Sequence, residues 1–404
     1  MILYSFLGGA GPLHETVYEW NGTQTKTEFS CAACAKILSP EKIIIFETKD
    51  GSSRHEKLDA QLSDIPHEFV MIDDGKNKEE LWRIFSRIVE VIPENSDIAF
   101  DVTNGFRFYP LLGLLSASFT ETVKGTRLRY MFYGNYEATR DSDAPKPMID
   151  LTPMLDLLKW TTYADRFIQT GDSTDLAVMI NELKNTYPSN DQKYKNLDHM
   201  AEDLKDISAS YLLLRPEEVR RTAVKLQTDT AAVEADIAGI PEEQPLGMLL
   251  EKIRNQYLQY SDEKSQYRDL KILRYQRDMI FRYQNLGQYM QAVSLAKEWI
   301  ETWVMAWLGT PIEYIFNSQY RLVFNNALGH FQHDEPNNEF TEAEIKKFIP
   351  PQKLKDILYE LNRCRNDLDH AGQDERAGSA RELKRNIDKV LDEIKYLKLL
   401  DDKG

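Results

Sequence analysis

The stretch DIAFDVTNGFR, residues 97–107, decides the fold of the N-terminal part of the chain. Residues 97–101 form a short apolar run between two aspartates, a pattern typical of a buried strand. A polar loop follows, and Pro110 then opens an apolar stretch with helical periodicity. A strand followed by a loop and a helix is the unit of a parallel sheet, because the helix carries the chain back to start the next strand.

The same unit recurs through the first 150 residues. Apolar runs predict further strands at 2–7, 42–47, 68–72 and 128–133, and amphipathic stretches predict helices at 27–38, 78–92 and 110–122. Strands and helices that alternate in this way predict an α/β fold, a parallel, Rossmann-like sheet with helices on both faces. We therefore expect an N-terminal α/β domain over residues 1–150.

Three loops of this domain are predicted to form a ligand site. They follow the strands at 2–7, 42–47 and 97–101, and the carboxyl ends of parallel strands meet at one edge of a sheet, where phosphates and other ligands bind. The residues expected to contact a ligand are Gly8, Gly9, Gly11, Thr48, Asp101, Thr103, Asn104, Gly105 and Arg107.

Two of these loops also have a plainer interpretation. The glycine turn is weak evidence by itself, because it lacks the GxGxxG spacing of dinucleotide-binding proteins. The 101–107 loop can be a turn in which Asp101 and Thr103 accept hydrogen bonds from backbone amides. That interpretation and ligand binding are compatible with each other.

The second informative motif is RNDLDH, residues 365–370, near the C-terminus. Histidine moves protons near neutral pH and arginine grips phosphate with a fork of donors, so Arg365 and His370 suit a metal-independent RNA-cutting site. Five residues of helix separate the two side chains by roughly 140°, which makes one helix alone a poor site. A second copy around a two-fold axis would bring two of each into one cleft, so we expect a homodimer. Asn366 is the third candidate residue, and Arg363 is a weaker one.

The same motif has an ordinary structural explanation as well. Arg, Asp and His on a charged helix usually form a solvated face with intrahelical ion pairs. The helix is predicted over residues 351–371, with Gly372 at its C′ position. His370 would then lie in the last turn, where the carbonyl end of a helix favours a cation.

Residues 151–404 are predicted to be all-α. Sheet-like runs disappear after residue 150 and charged helical periodicity takes over, which predicts a helical connector over 151–265 and a second all-α domain over 266–404. In that last domain, helices are predicted at 267–285, 289–308, 351–371 and 379–400.

Two side-chain patterns stand out in the last domain. Trp299, Trp303 and Trp307 lie four residues apart and predict packing in a core or a dimer interface. The basic face of the preceding helix indicates solvated charge in the first place and an RNA-tracking surface in the second. Its members are Arg268, Lys271, Tyr275 and Arg282.

Composition limits the classes of function. The chain has 404 residues, of which 42% are hydrophobic, and a net charge of -15, so it can fill real cores but does not attract nucleic acid broadly. Any RNA contact must therefore rely on a local positive patch.

The cysteines and the longest apolar runs bear on location and cofactors. Three cysteines suggest a reducing compartment. Cys31 and Cys34 form a CxxC without a second pair, so packing inside a helix is expected rather than a zinc site. No stretch approaches the ~20 apolar residues of a membrane-spanning helix. We expect a cytoplasmic protein with no metal and no membrane partner.

The two motifs resemble those of a known family. The order Asp-x-Thr-Asn-Gly at 101–105 resembles the Asp-x-Thr-His-Gly signature of CRISPR-associated proteins with a CARF sensor domain, with Asn104 in place of histidine. Arg365, Asn366 and His370 in the penultimate helix resemble the HEPN ribonuclease domain. Both motifs in this order are similar to the CARF-HEPN ribonucleases of type III CRISPR systems. Because Asn104 forms hydrogen bonds but does not titrate near pH 7, we expect ligand binding there and no acid-base work.

The resemblance implies an activity and the roles of three residues. It implies a homodimer that is activated by cyclic oligoadenylate and cuts single-stranded RNA without metal, with His370 as acid or base, Arg365 as phosphate clamp and Asn366 as orienting neighbour. A ring on a two-fold axis satisfies both subunits equally only if it has an even number of units, which favours cyclic tetra-adenylate first and cyclic hexa-adenylate second. Two alternatives stay open: a non-catalytic ligand-sensing regulator whose helical domain binds a partner or nucleic acid, and a sensor domain that cuts its own ring.

Overall fold

The computed structural model describes residues 1–8, 14–139, 144–186, 195–237, 244–261, 270–327, 352–373 and 377–397. The chain divides into two compact units, Met1–Lys159 and Trp160–Gly404. The predicted boundary near residue 265 falls outside the described residues, and the three-part division of the chain stays a prediction.

The first unit is built on an eight-stranded sheet with the strand order β3-β2-β8-β7-β6-β1-β4-β5. The neighbours β7, β6, β1, β4 and β5 pair in parallel, and these are the five strands that the sequence predicts. The strands are β1 Ile2–Leu7, β2 Thr16–Trp20, β3 Thr23–Thr27, β4 Lys42–Glu47, β5 His67–Met71, β6 Asp97–Asp101, β7 Arg127–Gly134 and β8 Lys146–Asp150. The predicted parallel α/β fold is confirmed.

Three strands were missed by the sequence analysis. β2 and β3 form an antiparallel hairpin, and β8 pairs antiparallel with β7, so the sheet is mixed on this side. The hairpin turn is formed by Asn21 and Gly22, which both have positive φ angles (47° and 79°). Asn-Gly between two alternating stretches is a strong hairpin signal in a sequence, because this turn needs positive φ at both positions.

Helices cover both faces of the sheet. Leu3, Ile43 and Ile45 face α1 (Ser30–Leu38) and α2 (His55–Gln61), whereas Tyr4 and Phe6 face α3 (Lys78–Val91) and α4 (Tyr109–Lys124). Successive residues of a strand point to opposite faces, so strands buried on both sides read as continuous apolar runs. That is why the central strands were recognised in the sequence.

The CxxC pair packs inside α1, as predicted. Cys31 and Cys34 are buried and free of disulfides. Burial raises the pKa of both thiols, with the nearby Asp101 carboxyl adding to the effect. Thiols held in their neutral form are poor nucleophiles and poor metal ligands, so their role is packing.

The second unit is all-α over its described residues, which confirms the predicted fold class. α5 (Thr152–Thr170) begins in the first unit and ends in the second. The other helices are α6 Thr174–Thr186, α7 Lys195–Leu212, α8 Pro216–Ile237, α9 Gln244–Tyr257, α10 Ile272–Asn285, α11 Tyr289–Trp307, α12 Ile312–Ile315, α13 Ser318–Ala327, α14 Gln352–Asp369 and α15 Ala380–Lys395.

The core of the second unit contains the predicted tryptophan stripe. Trp299 and Trp303 are buried and their rings stack at 6.2 Å. The Trp299 indole N–H donates to the backbone oxygen of Leu273 over 2.7 Å, which ties α11 to α10. The stripe is therefore core. None of the described helices is long and apolar enough to cross a membrane.

Arg282 does not belong to an RNA-tracking face, and that alternative is wrong for this residue. Its guanidinium lies over the rings of Tyr211 and Tyr257, 5.5 and 5.6 Å from their centroids, and donates to the backbone oxygen of Ile168 over 3.0 Å. Helical periodicity placed Arg282 on a polar face but could not show that α10 packs against α5, α7 and α9 along that face. Arg268 lies outside the described residues.

A buried ion cluster fixes α11 to α13. Glu301 is 1% exposed and binds the ammonium of Lys297 at 2.9 Å and the guanidinium of Arg321 at 3.0 Å. Arg321 also binds Glu298, which is mostly exposed, at 2.8 Å. Two cations pair with the buried carboxylate, which makes its burial tolerable.

Candidate functional site

The three predicted ligand loops converge at the carboxyl edge of the sheet. Gly8, just after β1, lies so close to the loop after β6 that a Cβ on Gly8 would sit 2.7 Å from the Cα of Gly105. A Cβ on Gly51, in the loop after β4, would overlap the backbone oxygen of Leu7. Only glycine allows these backbones to approach so closely. The predicted loops therefore form one surface.

Asp101 organises the loop after β6 from a fully buried position. Its Oδ2 accepts hydrogen bonds from the hydroxyls of Ser5 (2.8 Å) and Ser30 (2.7 Å), and its Oδ1 accepts from the backbone N–H of Thr103 (3.1 Å). Burial raises the pKa of Asp101, and the hydrogen bonds from Thr103, Ser30 and Ser5 oppose that rise. With no exposed surface, Asp101 shapes the loop rather than contacting a ligand directly.

Thr103 and Asn104 are held in place by neighbouring elements. The Thr103 hydroxyl accepts from the backbone N–H of Gly134 at the end of β7 (2.7 Å), which confirms the predicted turn with amide contacts. Asn104 donates its amide N–H to the Ser30 hydroxyl (2.7 Å), at the first residue of α1. The chain Asn104–Ser30–Asp101 thus fixes the side chain that replaces the histidine of the resembling signature.

The remaining predicted ligand residues fall into three groups. Thr48 is buried, and its hydroxyl accepts from the backbone N–H of Gly51 (3.2 Å), so it fixes the loop after β4. Gly105 and Arg107 are exposed, and Arg107 has no hydrogen-bond or ion-pair partner among the described residues. Gly9 and Gly11 lie outside the described residues.

Sequence reasoning missed two residues of this edge, Arg54 and Ser30. Arg54 ends the short 3-10 turn Gly51–Arg54 and donates from its guanidinium to the backbone oxygen of Gly8 over 2.7 Å. It brings a cation to the point where two loops meet, and cations at such an edge attract phosphates. Arg54 lies in a run of polar residues, so nothing in the sequence around it predicted a ligand contact.

The motif at the C-terminus lies where it was predicted, at the end of α14. Arg365 and Asn366 are in the last turn, and the His370 amide donates to the backbone oxygen of Asn366 (2.9 Å), which continues the helical pattern. Gly372 has a φ of +69°, in the left-handed region, as predicted for the glycine that follows the helix. Ala371, just before it, also has a positive φ, +52°. The helix ends two residues earlier than predicted, and His370 is the first residue past it.

The Arg365 guanidinium is fixed by an intrahelical ion pair. Its Nε lies 3.2 Å from Oδ2 of Asp369, and both side chains are partly exposed. Arg363 binds Glu360 in the same way, at 2.8 Å. The predicted solvated face with ion pairs is therefore present, and it coexists with the motif. Such pairs are weak, of the order of 0.5 kcal/mol, so a phosphate can displace or share them.

His370 lies in the wall of an open cleft of about 430 Å³. The described residues that line it are Asp369, His370, Ala371 and Gln373. The His370 ring is exposed and has no hydrogen-bond partner among the described residues. Arg365 does not line this cleft. One chain therefore brings the histidine to the cleft and leaves the arginine outside it.

Cys364, between the two arginines, faces the core. It is buried, and burial raises the pKa of its thiol to about 11, against the opposing effect of Arg363. The expectation that it packs in the bundle is confirmed. Among the described residues, no group of three His, Cys, Asp or Glu side chains is placed to hold a metal ion.

Comparison with models of protein families gives a match in the helical part of the chain. Residues 156–262 match the family model described as CRISPR-associated protein MJ1674, second domain. The matched region is about a quarter of the chain and runs from α5 to just past α9. No curated protein matches the chain. The match supports, at the level of the family, the CRISPR association that the two motifs indicate.

Proposed function

We propose that this CRISPR-associated protein is a cyclic-oligoadenylate-activated endoribonuclease that cuts single-stranded RNA without metal in type III antiviral defence. It works in the cytoplasm as a homodimer. The observation that carries the proposal is the position of His370, exposed in a cleft at the end of α14 with Arg365 five residues before it. The converging loops of the sheet domain supply the second, independent support.

The edge of the sheet suits a ring of adenylates. The exposed backbone of Gly105, packed against the buried Gly8, leaves room for a ligand close to the main chain, and Arg54 and Arg107 offer positive charge to phosphates. The Asn104 amide can hydrogen bond but carries no titratable group near pH 7. Cyclic tetra-adenylate, with an even number of units, is the activator we expect, and cyclic hexa-adenylate comes second.

The proposed chemistry needs two copies of α14. In the dimer, His370 of one subunit accepts the proton of the RNA 2′-hydroxyl, whose oxygen attacks the adjacent phosphorus. The bond from phosphorus to the 5′-oxygen breaks, and the protonated imidazole of His370 of the partner subunit gives its proton to that oxygen. Arg365 neutralises the charge that builds on the phosphate, and Asn366 orients it. The products are a 2′,3′-cyclic phosphate and a 5′-hydroxyl.

A non-catalytic regulator is the second candidate function. It is favoured by the ion pair between Arg365 and Asp369, which satisfies the arginine within its own helix. In that case the ligand would change how the helical unit binds a partner or nucleic acid, and no RNA would be cut. Activation in either case requires that the ligand bind one arrangement of the dimer better than the other.

Alanine variants at the motif test the proposal. RNA cleavage is measured with and without cyclic tetra-adenylate, in chelator, for the parent, His370→Ala and Arg365→Ala. We expect cleavage to fall about 10²–10⁴-fold for the histidine and about 10²–10³-fold for the arginine. His199→Ala, at another exposed histidine of the helical unit, is the matched control and should cut at the parent rate.

The outcomes separate the two functions. If both motif variants retain ligand-stimulated cutting, the nuclease proposal fails. If the parent shows no cutting while cyclic tetra-adenylate still binds, the regulator function stands. Incubation with labelled cyclic tetra-adenylate shows in addition whether the sensor domain degrades its own ligand.

A further inference from the structure

The helix α15, near the C-terminus, exposes a row of cations. Arg381, Arg385 and Lys389 follow one another every four residues along this helix, and all are exposed. Residues at this spacing lie on one side of a helix, here about 6 Å from one to the next. The opposite side, with Ile387 and Leu391, is buried in the core of the helical unit. The three cations therefore form one solvent-facing surface, which we call the basic stripe.

No residue of the basic stripe has an ion-pair partner among the described residues. The residue four positions after Arg381 is Arg385, and four positions later comes Lys389, so a cation lies where an intrahelical partner would be expected. By contrast, Arg363 and Arg365 of α14 are each bound to a carboxylate of their own helix. The basic stripe therefore keeps its charge available to a molecule outside the helix.

The stability of the helix does not explain the basic stripe. Like charges four residues apart destabilise a helix, and Arg381 is the second residue of α15, where the macrodipole favours a carboxylate. Two exposed carboxylates border the basic stripe: Glu382 in the first turn, and Asp392 three residues after Lys389. Three cations against two carboxylates leave this side of the helix positive. Side chains that oppose their own helix in this way are expected at a binding surface.

The basic stripe begins at the end of the helical hairpin that carries His370. Lys353, near the start of α14, binds Glu393, near the end of α15, over 3.1 Å, so the two helices run antiparallel. The start of α15 therefore lies at the same end of the hairpin as His370. From there the basic stripe leads along the helix toward Tyr396, whose side chain is 82% exposed at the C-cap.

We propose that the basic stripe and Tyr396 bind the single strand of RNA that leads into the cleft of His370. Phosphates of the strand contact the three cations, and Tyr396, about 22 Å from Arg381 along the helix, offers a ring on which a base stacks. A chain with a net charge of -15 needs a local positive patch to bind RNA, and Arg282 of α10 does not supply it. The role of this strand as the substrate that is cut rests on the proposed function, whereas the binding surface does not.

Binding of a strand that cannot be cut tests the surface by itself. A fluorescent single-stranded RNA whose 2′-hydroxyls are all methylated is titrated with the full chain, and its affinity is measured by anisotropy at several salt concentrations. The test variant replaces the whole basic stripe, with Arg381→Gln, Arg385→Gln and Lys389→Gln together. The matched control removes three exposed cations from elsewhere in the helical unit, with Lys205→Gln, Arg215→Gln and Lys252→Gln together.

We expect the stripe variant to bind at least ~10-fold more weakly than the parent. The slope of log affinity against log salt should become shallower by about 2, because each phosphate contact with a single strand contributes about 0.7. The control should keep the parent's slope and an affinity within about 3-fold of the parent's. Tyr396→Ala should bind at least ~5-fold more weakly with an unchanged slope, since base stacking adds affinity but releases no counterion.

The outcomes separate this inference from the proposed function. A stripe variant whose affinity and slope equal the control's would overturn the inference and point to an acidic protein as the partner of the basic stripe. Unchanged binding by Tyr396→Ala would overturn the part assigned to the aromatic ring. If the parent binds RNA through the basic stripe but cuts none with cyclic tetra-adenylate, the nuclease proposal fails and the binding surface stands. A melting temperature no lower than the parent's shows that each variant is folded.

Discussion

Replacing Asp203 by asparagine should stabilise the helical unit at alkaline pH and leave it nearly unchanged at acid pH. Asp203 is a buried residue of α7, and its pKa is raised to about 7 by burial first and by the Asp229 carboxyl of α8 second. Lys225 opposes the rise, and Asp206 adds to it. One oxygen of Asp203 has no hydrogen-bond partner among the described residues.

The sign of the effect follows from linkage. In the unfolded chain Asp203 titrates near 3.8, so between about pH 4 and pH 7 the folded state binds more protons than the unfolded state. The stability from this carboxyl is fully present below pH 4 and is lost as the pH rises through 7. Asparagine cannot ionise, so Asp203→Asn removes the penalty, which is on the order of 2 to 4 kcal/mol at pH 8.

Urea unfolding at pH 5 and pH 8 is the assay. We expect Asp203→Asn to gain 2 to 4 kcal/mol, in order of magnitude, over the parent at pH 8 and less than half of that, about 1 to 1.5 kcal/mol, at pH 5. Glu202→Gln, at an exposed carboxyl of the same helix, is the matched control and should change stability by about 0.5 kcal/mol or less at both values. A gain of equal size at both pH values, or a loss at pH 8, would refute the reasoning.

Three further substitutions have definite expected results. Gly8→Ala pushes a methyl group to 2.7 Å from the Cα of Gly105, so it should weaken binding of cyclic tetra-adenylate at least ~10-fold in calorimetry; unchanged affinity would show that the loops do not form the ligand site. Arg282→Met removes a guanidinium held by two tyrosine rings, and we expect a loss of about 1–3 kcal/mol in urea with unchanged RNA affinity; weaker RNA binding would restore the RNA-tracking interpretation. Glu301→Ala leaves two cations without their buried partner and should cost about 3–5 kcal/mol, against less than about 1 kcal/mol for Glu298→Ala; equal losses would contradict the assignment of Glu301 as the buried anchor.

Residues buried on both faces of the sheet were the easiest to predict. β1, β4 and β6, in the middle of the sheet, were found because their side chains are buried on both faces, as Ile43, Ile44 and Ile45 of β4 show. The strands that were missed have mixed patterns: β3 reads Thr-Gln-Thr-Lys-Thr and buries only two residues. The Asn21-Gly22 turn did carry a hairpin signal. Such a turn predicts a hairpin only when the stretches on both sides of it are also recognised as strands.

Some residues at the carboxyl edge of the sheet could be predicted from the sequence, and others could not. Spacing alone places Asp101, Thr103 and Asn104 in one loop after a strand, and the structure has them there. Ser30 and Arg54 reach the same edge from residues that are 71 and 46 positions away from their partners, which periodicity does not encode. Tertiary packing also decided the place of Arg282, which looked solvent-facing on a helical wheel.

The most direct test of the central claim is a structure of the assembled protein with cyclic tetra-adenylate and an RNA that cannot be cut because it lacks the attacking 2′-hydroxyl. The quantity to measure in it is the distance between the two His370 imidazoles. If two copies of α14 form one RNA-cutting cleft, both rings lie within about 10 Å of each other, each within reach of the same phosphodiester, with an Arg365 guanidinium beside it. Two imidazoles on separate surfaces, with no RNA between them, would contradict the account.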